Sequence, residues 1–231
     1  MNPYLIVIPA FNEAATIGDI VRRCRAALPA DVLVIDDASG DETAAIARAQ
    51  GARVIQHLRT MGAWRATQTG FLYASRHRYQ YIMTIDADGQ HHPEVLPELL
   101  AAVDGDNNVV LGSCIERASR LRRLAWRMLR RASGLRIQDL TSGMRVYPGD
   151  VPELLLSRGA SILDFQDLGV LILLEREGYQ LCEVPIAMSE REVGQSRIFF
   201  SWGRVFEYML VTLLLSVAKH ALPFRQRKTK R

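Results

Sequence analysis

As far as Leu111 the chain alternates short, β-rich apolar runs with segments of helical periodicity. Leu5–Ile8, Val32–Ile35, Val54–Gln56, Tyr81–Ile85 and Val109–Leu111 read as strands. Asn12 is expected to cap a helix whose apolar face, Ile17, Ile20, Val21, Cys24 and Leu28, follows the i, i+3, i+4 spacing. A second helix runs from about Asp41 to a stop at Gly51, and others occupy Gly62–Ser75 and Pro93–Val103. Strand–helix alternation of this kind predicts an α/β fold: a mainly parallel sheet with helices on both faces. Ligands of such sheets bind beyond the carboxyl ends of the strands. The residues that follow each strand are therefore the ones to read for chemistry.

Three of those strand ends are acidic. The first runs into Pro9-Ala10-Phe11-Asn12-Glu13, the second into Asp36-Asp37-Ala38-Ser39-Gly40-Asp41, and the fourth into Asp86-Ala87-Asp88-Gly89-Gln90. A DxD with an amide two residues on offers hard oxygen ligands to Mg²⁺ or Mn²⁺ and leaves coordination sites for a diphosphate. Such a cation shields charge on a departing nucleoside diphosphate. An isolated DxD is common, and an Asp-Asp-Ala-Ser run also serves as a turn or helix cap. Three acidic clusters at the ends of strands in one sheet point to a site.

The rest of the chain is less regular. Glu116–Ser133 reads as a long helix with Leu121, Leu124, Ala125, Met128 and Ala132 on one stripe and Arg117, Arg120, Arg122, Arg123, Arg127, Arg130 and Arg131 elsewhere. Solvation of an outer face explains such arginines, and so does a surface for lipid headgroups and an acceptor phosphate. A loop with Asp139-Leu140-Thr141-Ser142-Gly143 leads to a short strand through Val146. Asp164–Gly178 reads as a core helix and Leu181–Pro185 as a last strand. His91 and His92 read as solvent-facing residues at a helix start, and Trp64, Trp126 and Trp202 as packing or interface anchors.

Charge and hydropathy separate the C-terminus from the body. After Glu207 there is no acid, while Lys219, Arg225, Arg227, Lys228, Lys230 and Arg231 supply six positive charges. Without those six, 23 basic residues face 25 acidic ones, so the net charge of +4 belongs to the tail. A helix from Ser201 to about His220 is apolar only over Tyr208–Ala218, against the ~20 residues that a membrane span needs. With Trp202, Phe206 and Tyr208 beside it and the basic tail behind it, the segment suits an interfacial anchor. The expected organisation is a catalytic domain over residues 1–200 and an interfacial helix with its tail over 201–231. Cys24, Cys114 and Cys182 have no metal-ligand spacing and predict neither a disulfide framework nor a zinc site. Met1-Asn2-Pro3-Tyr4 has no basic n-region, so a signal peptide is not expected. A reducing cytoplasm fits best.

In family order, the chain carries Ile8-Pro9-Ala10-Phe11-Asn12-Glu13, Val34-Ile35-Asp36-Asp37-Ala38-Ser39-Gly40-Asp41-Glu42-Thr43 and Asp86-Ala87-Asp88-Gly89-Gln90-His91-His92-Pro93. Asp139-Leu140-Thr141-Ser142-Gly143-Met144-Arg145, Glu183-Val184-Pro185-Ile186 and Arg191-Glu192-Val193-Gly194-Gln195-Ser196-Arg197 follow. These runs span roughly residues 5–197 and together resemble glycosyltransferase family 2, within it the polyprenyl- and dolichyl-phosphate sugar synthases. The resemblance implies a Rossmann-like GT-A fold and inverting transfer from a nucleotide-sugar of the GDP-mannose or UDP-glucose type to a polyprenyl phosphate. It further implies Mg²⁺ or Mn²⁺, and work at the cytoplasmic, inner face of a membrane in cell-envelope glycan synthesis. Nucleic acid is not an expected partner, whereas a second copy or a membrane protein fits the pattern.

Roles carry over residue by residue. Pro9, Phe11 and Glu13, with Ile35 and Asp37, would frame the nucleoside; Asp86 and Ala87 would face the nucleotide-sugar; Asp88 and Gln90 would hold the metal. Arg191 and Arg197 would close over the diphosphate, and Asp139, Arg117 and Arg145 would serve catalysis or phosphate binding. Two departures stand out. Arg197 occupies a position where the family usually has lysine, which keeps the charge but changes donor geometry. Gly112-Ser113-Cys114 replaces the usual Gly-Ser-Arg, so Arg117 is the candidate substitute. A phosphate acceptor is already largely ionised near pH 7, its second pKa being about 6, and needs no strong base. Two alternatives stay open: transfer to a saccharide hydroxyl, with Asp139 or Asp167 as base, and a lapsed, membrane-docked scaffold.

Overall fold

The computed structural model describes residues 2–105, 107–117, 120–157, 160 and 168–189. The expected C-terminal helix and tail, Arg191, Arg197 and Asp167 lie outside them, as does the side chain of Arg117. Seven strands form one sheet: β1 (Tyr4–Ala10), β2 (Asp31–Asp36), β3 (Arg53–Gln56), β4 (Tyr81–Thr84), β5 (Asn108–Ser113), β6 (Arg145–Pro148) and β7 (Gln180–Pro185). Their order is β3-β2-β1-β4-β6-β5-β7. Every neighbouring pair is parallel except where β6 runs antiparallel to both β4 and β5. The described helices are α1 (Ile17–Ala27), α2 (Thr43–Ala49), α3 (Ala63–His77), α4 (Leu96–Ala101), α5 (Arg120–Ser133), α6 (Val151–Leu155) and α7 (Leu168–Arg176).

Successive side chains on a strand point to opposite faces, and both faces here are covered. Leu5, Val7, Leu33, Ile35, Ile82 and Tyr147 pack on one face with Trp64 and Phe71 of α3 and Leu168 and Leu171 of α7. Ile6, Ile8, Val34, Met83 and Val146 pack on the other with Ile17, Ile20, Val21 and Cys24 of α1 and Leu96 and Leu99 of α4. Each such side chain, fully buried, contributes roughly 1.5–3 kcal/mol relative to exposure. This double covering is why the strands read as unbroken apolar runs. Gly51, at φ 85°, turns the chain just after α2, as expected of a C-terminal glycine.

Two local expectations fail. Asn12 does not cap α1: it lies four residues before the Thr16 cap, in the left-handed region at φ 56°. A turn intervenes, in which the Glu13 carbonyl accepts from Thr16 and Ile17 N–H (3.1 and 2.9 Å). In α5 one described member of the expected apolar stripe faces out. Trp126 and Leu129 are buried beside Leu135, whereas Met128 is 62% exposed. The indole has more apolar area to bury than the thioether.

Arg23 of α1 grips Glu94 through two 2.7 Å hydrogen bonds and reaches Asp19 at 3.2 Å. The hydrogen bonds from Arg23 hold the Glu94 carboxyl down at about 2. A carboxyl lowered on folding adds stability that is whole above its unfolded value of 4.5 and is lost as pH falls toward 2. Glu94 is 57% exposed, so solvent screening limits the contribution to about 1 kcal/mol or less. In paired melts the wild type should surpass Glu94→Gln slightly at pH 6, and the gap should narrow through pH 3 and close near pH 2. A gap that stays undiminished or widens as pH falls from 4.5 toward 2 would contradict this pairing.

Candidate active site

β1 and β2 end side by side, with Ala10 opposite Asp36, and the loops beyond them are laced together. Asn12 N–H donates to Ser39 Oγ (2.9 Å), and the Asn12 side-chain oxygen accepts from Gly40 N–H (2.8 Å). Glu13 N–H donates to Thr43 Oγ1 (2.8 Å), and Ala14 N–H to the Asp41 carboxylate (3.2 Å). Burial opposes the charge on Asp41. The Thr43 hydroxyl and the Thr43 and Ala14 amides outweigh it and hold the group below the ordinary carboxylate range. Ala38, like Asn12, has a positive φ (61°), and left-handed non-glycine residues concentrate at working sites. Pro9, Phe11 and Glu13 lie half-buried along this edge.

Two residues expected to touch a nucleoside are turned inward. Ile35 is fully buried in the core, because strand alternation puts it on the face of Leu33 and not at the strand tip. The Asp37 carboxylate, 3% exposed, accepts from Met61 and Gly62 N–H (2.8 and 2.7 Å) and lies 2.7 Å from His57 Nδ1. Asp37 therefore fixes the loop after β3 against the end of β2. Asp36 is likewise enclosed, accepting from Ser39 N–H (3.3 Å) and the Gln56 amide (3.0 Å).

The turn after β4 faces outward. The Asp86 side chain is 45% exposed, and Asp88 and Gln90 are half-buried. Gln90 N–H donates to Asp88 Oδ1 (3.1 Å), which sets the turn. Neighbours hold it from three sides. Thr16 Oγ1 donates to the Ala87 carbonyl (2.6 Å), and Ser189 N–H to the Gln90 carbonyl (2.9 Å). His92 bridges Arg23 and Ser189 through its two ring nitrogens, each at 3.1 Å.

His91 is not the solvent-facing residue that the sequence suggests. It is 1% exposed, pairs through its backbone with Met188, and places Nδ1 3.5 Å from Asp86 Oδ2. Its adjacency to the acidic turn was the available signal. The tryptophans described do pack: Trp64 is buried, with its Nε1–H donating to the Ala160 carbonyl (3.2 Å).

The segment Asp139–Arg145 is drawn over the end of β4 from the other side. Glu183 of β7 accepts from Gln138 and Asp139 N–H, both at 2.7 Å. Asp139 is fully buried, its carboxylate accepting from Cys114 N–H (3.2 Å) and Thr141 N–H (3.0 Å). In that enclosed position Asp139, expected as a catalytic group or base, ties the Cys114 turn to the loop. Thr84 Oγ1 donates to the Gly143 carbonyl (2.7 Å), and a Cβ on Gly143 would collide with the Asp86 carboxylate. Arg145 is fully buried in β6, opposite Thr84.

Among the described residues no three His, Cys, Asp or Glu side chains converge as a self-sufficient metal cage. The donors on the turn after β4, Asp88 and Gln90 beside Asp86, are hard oxygens in a half-exposed position. That set fits a Mg²⁺ or Mn²⁺ ion that shares its coordination with substrate phosphates.

The sequence profile of glycosyl transferase family 2 matches residues 5–153. Polyprenol monophosphomannose synthase of Mycolicibacterium smegmatis is 32% identical over 215 residues, covering 84% of this chain and 80% of the relative. Undecaprenyl-phosphate mannosyltransferase of Micrococcus luteus is 31% identical over 213 residues, covering 84% and 86%. Among solved structures, glucosyl-3-phosphoglycerate synthase from Mycobacterium tuberculosis, in complex with Mn²⁺, uridine diphosphate and phosphoglyceric acid, superposes with a TM-score of 0.69. It is 21% identical, and the match covers 95% of this chain and 79% of that one. At that identity the likeness is one of fold.

Proposed function

The chain belongs to glycosyl transferase family 2 and is a glycosyltransferase of GT-A fold, and from that premise we propose that it moves a hexose from a nucleotide-sugar to a polyprenyl phosphate at a membrane surface. The observation that carries the reading is one of position. The outward-facing Asp86–Gln90 turn sits at the sheet edge beside the Asp139–Arg145 loop, in a chain sharing 31–32% identity with two enzymes named for polyprenyl-phosphate mannosyl transfer.

Pro9, Phe11 and Glu13 cradle the nucleoside, and Asp37 holds the loop that closes that end of the cleft. Asp86 and Ala87 face the sugar, while Asp88 and Gln90 hold Mg²⁺ or Mn²⁺. When bound, that ion supplies charge neutralisation for the departing diphosphate. Arg117, Arg191 and Arg197 lend positive charge to phosphates, with donors of the GDP-mannose or UDP-glucose type.

The acceptor is ionised in advance, its second pKa being about 6, so the attacking oxygen needs alignment more than a base. Inversion at the sugar carbon follows from direct attack. Of the two carboxylates that could serve a saccharide acceptor as base, Asp139 is enclosed and Asp167 lies outside the described residues. No described helix is long and apolar enough to cross a membrane. The reading places the enzyme on the cytoplasmic face, with residues 201–231 and the arginines of α5 meeting the lipid.

A panel of GDP-mannose and UDP-glucose, incubated with farnesyl phosphate or farnesol, with or without EDTA, tests the reading by mass spectrometry. Glycosylated farnesyl phosphate is expected, with none from farnesol, none in EDTA, and a rate nearly flat above pH 6. Transfer to a free saccharide with none to the lipid phosphate would overturn it.

A further inference from the structure

Arg145 is an anomaly of the interior. It is the first residue of β6 and fully buried, yet among the described residues only its Nε–H has a partner, the Ser142 carbonyl at 2.8 Å. Among the described residues neither terminal amino group, Nη1 or Nη2, has a hydrogen-bond partner. Leaving a buried cation uncompensated costs several kcal/mol. Buried charges in stable folds are otherwise paired. The donors left over are the parallel pair of the guanidinium fork, whose spacing matches two oxygens of one phosphate.

The position of the fork is set by the strand ladder. Arg145 lies opposite Thr84 in the antiparallel β4–β6 pair. Its Nε–H bond to Ser142, three residues back, turns the side chain toward the end of the sheet where Thr84 leads into Asp86. Gly143, between Ser142 and Arg145, abuts the Asp86 carboxylate itself. The nucleoside wall, Pro9 to Glu13, lies on the other side of β4, beyond β1. Arg145 is therefore on the side of Asp86 away from the nucleoside.

We infer that Arg145 is the buried anchor for the acceptor's phosphate: its Nη1–Nη2 fork binds two phosphate oxygens and directs the third toward the sugar beside Asp86. The inference rests on the polyprenyl-phosphate reading. Burial gives it force, because a charge-assisted bidentate contact away from bulk water is worth several times the same contact at the surface. The orphaned charge in the free enzyme is the structural cost of that readiness, as substrate sites commonly trade stability for function.

Arg145→Met and Arg145→Lys separate this from a structural role. If the fork awaits substrate, Arg145→Met removes an uncompensated charge and melts at or above the wild-type temperature. It also raises the KM for farnesyl phosphate about ten- to a hundredfold, with nucleotide-sugar affinity within about twofold, the margin set by context dependence. Arg145→Lys, charged but without the fork, falls between. A steep loss of melting temperature in Arg145→Met would mean that an acid of the protein pairs with the guanidinium, and would overturn the inference. An unchanged KM for farnesyl phosphate would do the same, as would a loss confined to nucleotide-sugar binding. Should the wild type fail to glycosylate farnesyl phosphate, the acceptor reading itself fails. Inorganic phosphate then still probes Arg145: it should raise the melting temperature of the wild type and not of Arg145→Met, and an equal rise in both counts against the anchor.

Discussion

Asp88→Asn should leave a folded protein whose sugar transfer is lowered about 10²–10³-fold, the scale of losing one preorganised charge-stabilising group. The substitution is nearly isosteric, and the asparagine oxygen can still accept from Gln90 N–H as Asp88 Oδ1 does at 3.1 Å. The turn therefore keeps its shape, also held by Thr16 on the Ala87 carbonyl and Ser189 on the Gln90 carbonyl. What goes is one negative charge from an open, half-buried position, and with it the strongest oxygen ligand offered to a divalent cation. Titrating Mn²⁺ against transfer should show a weaker apparent metal affinity as well as a lower plateau. Unchanged activity and metal dependence in a variant that melts like the wild type would remove Asp88 from the site. Asp139→Asn makes a useful contrast. Asp139 is fully buried under two backbone N–H donors, so its replacement should show first as lost stability.

The parts of this fold that could be read in advance are those set by local periodicity. Leu5–Ile8 and Val32–Ile35 are strands because their side chains are apolar on both faces, and both faces are covered by helices whose own i, i+3, i+4 stripes are visible. The acidic turn after β4 was equally legible, since a parallel sheet sends its strand ends to one edge. The antiparallel placement of β6 between β4 and β5 was not, because four residues, Arg145–Pro148, carry no directional mark of their own.

Within the site, proximity in sequence misled where alternation or partners decide. Ile35 adjoins Asp36 yet points into the core, and Asp37 is consumed by Met61 and Gly62, more than 20 residues away. The burial of His91 depends on Met188, nearly a hundred residues on, which no local pattern announces. Asn12 has the chemistry of a cap, but its left-handed backbone and its bond to Gly40 put it to work joining two loops. In α5 the exposure of Met128 beside the buried Trp126 was not legible, since the indole outweighs the thioether only once a core exists to receive it.

Gly143→Ala should cost most of the activity, about 10²-fold, while lowering stability by only about 1–3 kcal/mol. Gly143 does not take a positive φ, so its need for glycine is one of space and not of backbone freedom. A methyl group there would occupy the position of the Asp86 carboxylate. The loop cannot easily withdraw. Thr84 Oγ1 holds the Gly143 carbonyl at 2.7 Å, the next residues pair along β4, and Glu183 secures Gln138 and Asp139 at the loop's start. The carboxylate is the softer partner: it is 45% exposed and can swing into solvent. Asp86 would then be displaced on the order of an ångström, enough to misalign the sugar. Nucleotide binding at the β1–β2 edge, on the far side of β4, should change little, so the loss should appear in kcat more than in nucleotide affinity. Calorimetric titration with the nucleoside diphosphate and a transfer assay on the same preparation separate the two. A folded Gly143→Ala enzyme with wild-type kcat would show that the position of Asp86 is immaterial to transfer.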